Sequence, residues 1–183
     1  DGDTVTLLGD ASGAGATIDK DVTIDFGGKT YTFTEGVGSS GTPSNGFQIL
    51  QGNKVTLKNG TLNVAEASKD KFYILVQNYA DLTVEDMTLD GTNLDKWSLV
   101  ETDQDSYVLS NNSGTVNITG ETNIIANNDG DKAFAFDVCK FGNYEEPVVN
   151  VNTTGKITGK IEVSAEIPTN LNISGGTFTV EIQ

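Results

Sequence analysis

The stretch DVTIDFGGKTYTF, residues 21–33, alternates apolar and polar side chains, pauses at Gly27-Gly28, then alternates again. Such alternation marks a strand with one buried face. A Gly pair supplies a kink, because glycine reaches backbone angles that other residues avoid. Much the same phrase returns as KVTLKNGTLNV (54–64), DLTVEDMTLDG (81–91) and NLNISGGTFTV (170–180). Aligned on a Thr or Asn between two aliphatics, the chain gives six triplets: Val22-Thr23-Ile24, Val55-Thr56-Leu57, Leu82-Thr83-Val84, Val116-Asn117-Ile118, Val149-Asn150-Val151 and Leu171-Asn172-Ile173. Successive starts lie 33, 27, 34, 33 and 22 residues apart. In a strand, positions i and i+2 share a face, so each triplet sends two aliphatics inward and one small polar residue outward. The outward column of Thr and Asn suits a ladder of side chains bonded to the repeats above and below.

A second strand follows each triplet: KTYTF (29–33), GTLNV (60–64), MTLDG (87–91), ETNII (121–125), KITG (156–159) and GTFTV (176–180). A third, apolar strand precedes most triplets: FQIL (47–50), FYILV (72–76), YVL (107–109), FAFDV (134–138) and KIEV (160–163), with TVTLL (4–8) expected in that place for the first. Self-similarity at a period of this length is the signature of a stacked, quasi-one-dimensional fold. An irregular period fits strands that must match while the loops between them vary. No segment shows a helical pattern of useful length; NVAEASKDKF (63–72) comes nearest. An antiparallel sandwich would place turns every 8–12 or so residues without repeating a three-strand phrase in order. The expectation is therefore an all-β solenoid of about six coils with three short strands each, forming one domain over residues 1–183.

The triplet, pause and strand phrases resemble the right-handed parallel β-helix of the pectin-lyase-like superfamily. The opening DGDTVTLLGD followed by ATIDKDVTIDFGGKTYTF resembles the entry into such helices in secreted and surface proteins of Gram-positive bacteria. The closing LNISGGTFTV resembles the end of similar modules. FGNYEEP (141–147) departs from the pattern by lengthening a turn that is tight elsewhere. The resemblance implies an extracellular or cell-surface bacterial location. Because the chain opens on Asp1 rather than Met, it is expected to be a fragment of a longer protein, with any leader or anchor outside it. Solenoid ends need covering, so flanking domains of that protein are expected partners.

Charge and composition narrow the function. Acidic residues number 26 against 11 basic ones, all Lys, for a net charge of −15. Such a surface repels nucleic acid and anionic membrane. No apolar run approaches the roughly 20 residues of a membrane span. Cys139, the single cysteine, sits in FAFDVC and reads as a buried, inert thiol.

The resemblance also implies polysaccharide-cleaving chemistry, whose lyases use carboxylate-held calcium and an Arg base, and whose hydrolases use paired Asp with His and basic residues. This chain has no Arg and no His. The favoured function is accordingly a non-catalytic structural or adhesive module that contacts cell-surface or extracellular glycans or proteins. The alternative is a carbohydrate-active enzyme, a polysaccharide lyase or glycoside hydrolase, or a degenerate relative of one. Candidate carboxylates are Glu101, Asp103 and Asp105 in ETDQD, and Asp129 and Asp131 in NNDGD, although both segments read more simply as solvated loop and turn. Asn127, Asp129 and Asp131 alternate like the start of a calcium loop but lack its closing Glu, so they offer Ca²⁺ a weak site at most. Zinc does not suit a chain with no His and one Cys.

Three long connections, 35–46, 91–106 and 127–132, are expected along one edge. The second carries Trp97, the only tryptophan, which can stack on a sugar ring; its simpler role is a lid over the stack. Tyr79 in QNYAD and Tyr144 in FGNYEEP are further ligand-binding candidates, each with a simpler role in packing against a neighbouring repeat. Phe47, Phe72, Phe134 and Phe136 are expected in the core. Five N-x-S/T triplets, at Asn59, Asn111, Asn117, Asn152 and Asn172, follow from the ladder composition and imply no glycosylation.

Overall fold

The computed structural model describes residues 2–38, 44–94, 105–127 and 133–179. Among these the chain is all-β. The helical segments are the short 3-10 turns Glu66–Lys71, inside the stretch nearest to a helical pattern, and Pro168–Asn170.

Strand pairing follows the repeat. Val22, Val55, Leu82, Val116, Val149 and Leu171 are successive parallel register partners, so the six triplets lie side by side in chain order. The second strands belong to the same eleven-stranded sheet. In Val22–Glu35, Lys54–Val64 and Asp81–Asp90, first and second strands run on through a bend. Gly27 (φ 57°), Asn59 (φ 60°) and Asp86 (φ 52°) occupy the bends. These are the residue types that enter the left-handed region most readily. The third strands, Ala16–Ile18, Asn45–Ile49, Ile74–Asn78, Ser106–Asn111, Ala133–Val138 and Lys160–Val163, form a separate six-stranded parallel sheet.

One hydrophobic core joins the strand types. Leu57, Val84, Ile118 and Val151 enter it from the triplets, Leu62, Leu89, Ile124 and Ile157 from the second strands, and Val76, Leu109, Phe136 and Ile161 from the third. Phe47, Phe72, Phe134 and Phe136 are all buried, Phe72 just ahead of its strand. The whole arrangement is consistent with a parallel β-helix. The outward column behaves as the triplets suggest: Asn150 Nδ2 donates to Asn117 Oδ1, and Asn172 Nδ2 to Asn150 Oδ1, each at 3.0 Å.

One strand is placed differently from its sequence assignment. Thr4–Leu8 is not the third strand of the first repeat; Asp3–Thr6 pairs with Val22–Asp25 and extends the triplet stack by one. Its Thr-Val-Thr alternation matches the triplet register, setting Thr4 on Thr23 and Val5 on Ile24. The third-strand position is taken by Ala16–Ile18, which pairs with Phe47–Ile49. Ala-Thr-Ile is too short and too polar to stand out as an apolar run.

The connections fall into two stacked corners. Residues 36–44, 65–73, 91–105 and 126–132 each lie between a second strand and a third; of these, 39–43, 95–104 and 128–132, most of the three long connections, lie outside the described residues. At the other corner, third strand to next triplet, the links are 19–21, 50–53, the pair Tyr79-Ala80, 112–114, the longer 139–147 and 164–170. Among the described residues no helix is long and apolar enough to cross a membrane.

Candidate functional site

The corner between third strands and triplets assembles an aromatic shelf. Asn78 ends a third strand and Asp81 begins the next triplet, leaving Tyr79 in a two-residue turn. Asn78 is fully buried and braces that turn: its Nδ2 donates to Ala80 O at 2.9 Å and to Ser113 O at 3.3 Å, while its Oδ1 accepts from Ala80 N at 3.1 Å. The neighbouring turn must come close. Gly114 has φ +80°, and a Cβ there would lie 2.2 Å from Ala80 O, so only glycine fits.

The lengthened segment 139–147 folds back over these turns. Phe141 N donates to Asn112 O at 3.2 Å, Tyr144 N closes a turn onto Phe141 O at 3.1 Å, and Asn170 Nδ2 donates to Pro147 O at 3.0 Å. Gly142, at φ 55°, supplies the reversal between the two aromatics. The rings then meet. Tyr79 and Tyr144 centroids are 5.0 Å apart, Tyr79 and Phe141 6.0 Å in edge contact, and Phe141 and Tyr144 6.3 Å. These separations suit favourable aromatic pairing. Tyr79 is half-buried, whereas Phe141 is 56% and Tyr144 36% exposed. Burial first, then the neighbouring Tyr144 and Asp137, hold the Tyr79 hydroxyl above its ordinary pKa, so it remains a neutral hydrogen-bond donor.

A groove of about 390 Å³ runs beside the shelf across four successive corners, lined by Asn53, Lys54, Tyr79, Asp81, Glu145 and the Gly114 backbone among others. Asp81 Oδ1 accepts Thr115 N at 2.9 Å. Rings with exposed faces next to carboxylates, amides and backbone form an amphipathic surface. It can stack an apolar ring face while bonding to hydroxyl or amine groups at the rim.

Of the sequence candidates, Tyr79 and Tyr144 thus come together, and they pack against each other. Trp97, Glu101, Asp103, Asp129 and Asp131 lie outside the described residues. Asn127 lies apart from the shelf, its Nδ2 donating to Leu94 O at 2.6 Å at the base of the opposite corner. The sequence reading missed Phe141, whose signal was its place two residues past Cys139 in the one lengthened turn.

A second cluster was also missed. Asp137, Cys139 and Glu162 bring their ligand atoms within 4.8 Å of one another at the end of two third strands. Asp137 is only 4% exposed. Its Oδ2 accepts Ser110 Oγ at 3.1 Å, and its Oδ1 accepts Asn111 N. Burial outweighs these bonds, and with the nearby Glu162 charge it pushes the carboxyl up to about 8. Tyr107 donates its hydroxyl to Glu162 Oε2 at 2.7 Å and stacks on Phe134 at 5.0 Å. The Cys139 thiol is half-buried, and burial together with Asp137 and Glu162 pushes it up to about 12, the mark of an unreactive thiol. With both Asp137 oxygens bonded to Ser110 and Asn111, and Glu162 bonded to Tyr107, the cluster forms an internal polar node between two third strands.

No protein-family model, curated protein or solved structure matches the chain.

Proposed function

We propose that the chain is a right-handed parallel β-helix of the pectin-lyase-like kind and serves as a non-catalytic structural or adhesive module of a secreted or cell-surface bacterial protein, contacting glycans on the shelf of Tyr79, Phe141 and Tyr144. The observation that carries this reading is the shelf. Two aromatic rings stay substantially exposed although a third ring and a braced turn fix their positions. Rings held rigidly by a scaffold lose little entropy on binding, which makes them efficient contacts for a sugar face. The stack itself acts as a rod, rising about 4.8 Å per coil.

For the alternative, a carbohydrate-active enzyme, the candidate carboxylates Glu101, Asp103, Asp129 and Asp131 lie outside the described residues, and the pair Asp137 and Glu162 does not serve, since Asp137 is 4% exposed and out of reach of a polymer. The chain also lacks the Arg and His on which the familiar reactions of this fold depend.

A glycan array comparing the parent chain with the Phe141→Ala/Tyr144→Ala double variant tests the reading. The strongest signals should fall by about 30-fold, the consequence of losing roughly 2 kcal/mol of contact. An array without signal overturns glycan contact, and signals unchanged in the double variant overturn the site. Turnover on pectin or alginate would establish the enzyme instead.

A further inference from the structure

We infer that the shelf selects saccharides bearing free amino groups, the sugar ring stacking on Phe141 and Tyr144 while its ammonium sits in the adjoining groove on the carboxylates of Asp81 and Glu145. The inference rests on the glycan-contact reading and names the ligand class for that site. Charge is its basis. Asp81 and Glu145 line the groove with only Lys54 opposing them among the described residues that border it. Asp81 spends one oxygen on Thr115 N, leaving Oδ2 without a partner among the described residues. Glu145 is exposed. Beyond the groove the chain carries a net −15, so the long-range field draws cations in and turns uronates away.

The test titrates a glucosamine oligomer and its fully N-acetylated counterpart against the folded chain by calorimetry at mildly acidic pH, where the amines are charged. The free-amine oligomer should bind about fivefold tighter, the upper end for an exposed ion pair. That preference should shrink as salt is raised. Two surface substitutions should act with opposite sign: Glu145→Gln weakens amine binding and Lys54→Gln strengthens it. Equal or tighter binding of the acetylated oligomer overturns the amine inference and leaves the glycan reading standing. Binding of neither oligomer overturns the amine inference, and the glycan array then decides the glycan reading by itself. The Phe141→Ala/Tyr144→Ala variant keeps the same net charge; if it binds the free-amine oligomer as tightly as the parent, overall charge alone explains the attraction and the inference fails.

Discussion

Tyr144 rests on Tyr79 with ring centroids 5.0 Å apart and planes inclined by 44°. The two residues belong to corners separated by one intervening turn, 112–114, so their contact fastens the long corner 139–147 to the two-residue corner Tyr79-Ala80. In a stacked fold, neighbouring repeats match at the strands and the corners vary. Here a varied corner has been turned back along the stack and pinned by an aromatic contact.

That contact predicts that Tyr79→Ala loosens residues 139–147 without disrupting the strands. The half-buried ring accounts for about 1–3 kcal/mol of stability, less than a fully buried aromatic of the core. Amide exchange at Tyr144, whose N–H is bonded to Phe141 O at 3.1 Å, should quicken, while amides within the third strands should not change. Uniform acceleration throughout the chain would show that the insertion is not held locally by Tyr79.

The Asn78 brace gives a second prediction. Its buried amide both donates to Ala80 O and Ser113 O and accepts from Ala80 N, linking two consecutive corners. Asn78→Ala leaves those buried backbone groups without partners, at a cost of about 1–3 kcal/mol or more, since more than one bond is lost. Asn78→Asp keeps the acceptor for Ala80 N but sets a carboxylate against two carbonyl oxygens, and should be no better tolerated. Chemical denaturation should find both variants destabilised with an unchanged m-value, the sign of the same fold with a weakened corner.

The Asn ladder is expected to matter less than the core it covers. In Asn150→Asp the side chain can still accept from Asn172 but no longer donates to Asn117 Oδ1. At this half-buried position the loss should be about 0.5–1.5 kcal/mol. Ile118→Ala, at a fully buried position in the adjacent strand, should cost about 2–5 kcal/mol. Thermal unfolding of the pair ranks the two effects, and a ladder variant as damaging as the core variant would contradict this order.

The stack was legible in the sequence because the residues that set its register are the ones that repeat. Val55, Leu82, Val116 and Val149 had to match to bury a shared core, and their alignment predicted the observed partners. Ala16–Ile18 escaped notice for the converse reason: at the end of the stack, with Ala16 and Thr17 exposed, it carries little apolar signal. Site residues are legible in a different way. Tyr79 and Tyr144 stood out as aromatics in turns, but nothing local showed that they meet, because their contact depends on how far the inserted turn folds back. Asp137 lies in FAFDV, a run that reads from sequence only as an apolar third strand. Its proximity to Glu162 is set by register between strands, Asp137 facing Glu162 directly, which periodicity within one strand does not reveal.

Asp137 should impose a pH dependence on stability. In the unfolded chain its carboxyl titrates at the ordinary value of 3.8, whereas burial in the folded chain pushes it up to about 8. Below about pH 4 it is protonated in both states and adds no slope. Between pH 3.8 and about 8 the unfolded chain releases the proton and the folded chain retains it, so unfolding is increasingly favoured as pH rises. Above that window both states are ionised and the slope disappears. Asp137→Asn preserves the shape and can accept from Asn111 N through Oδ1 while turning its amide toward Ser110, yet carries no proton to lose. The difference in melting temperature between Asp137→Asn and the parent should therefore grow in favour of the variant from pH 5 to pH 8, other carboxylates being common to both. A difference that stays constant across this range would mean that the folded chain holds Asp137 ionised, the bonds from Ser110 and Asn111 outweighing burial and the nearby Glu162 charge.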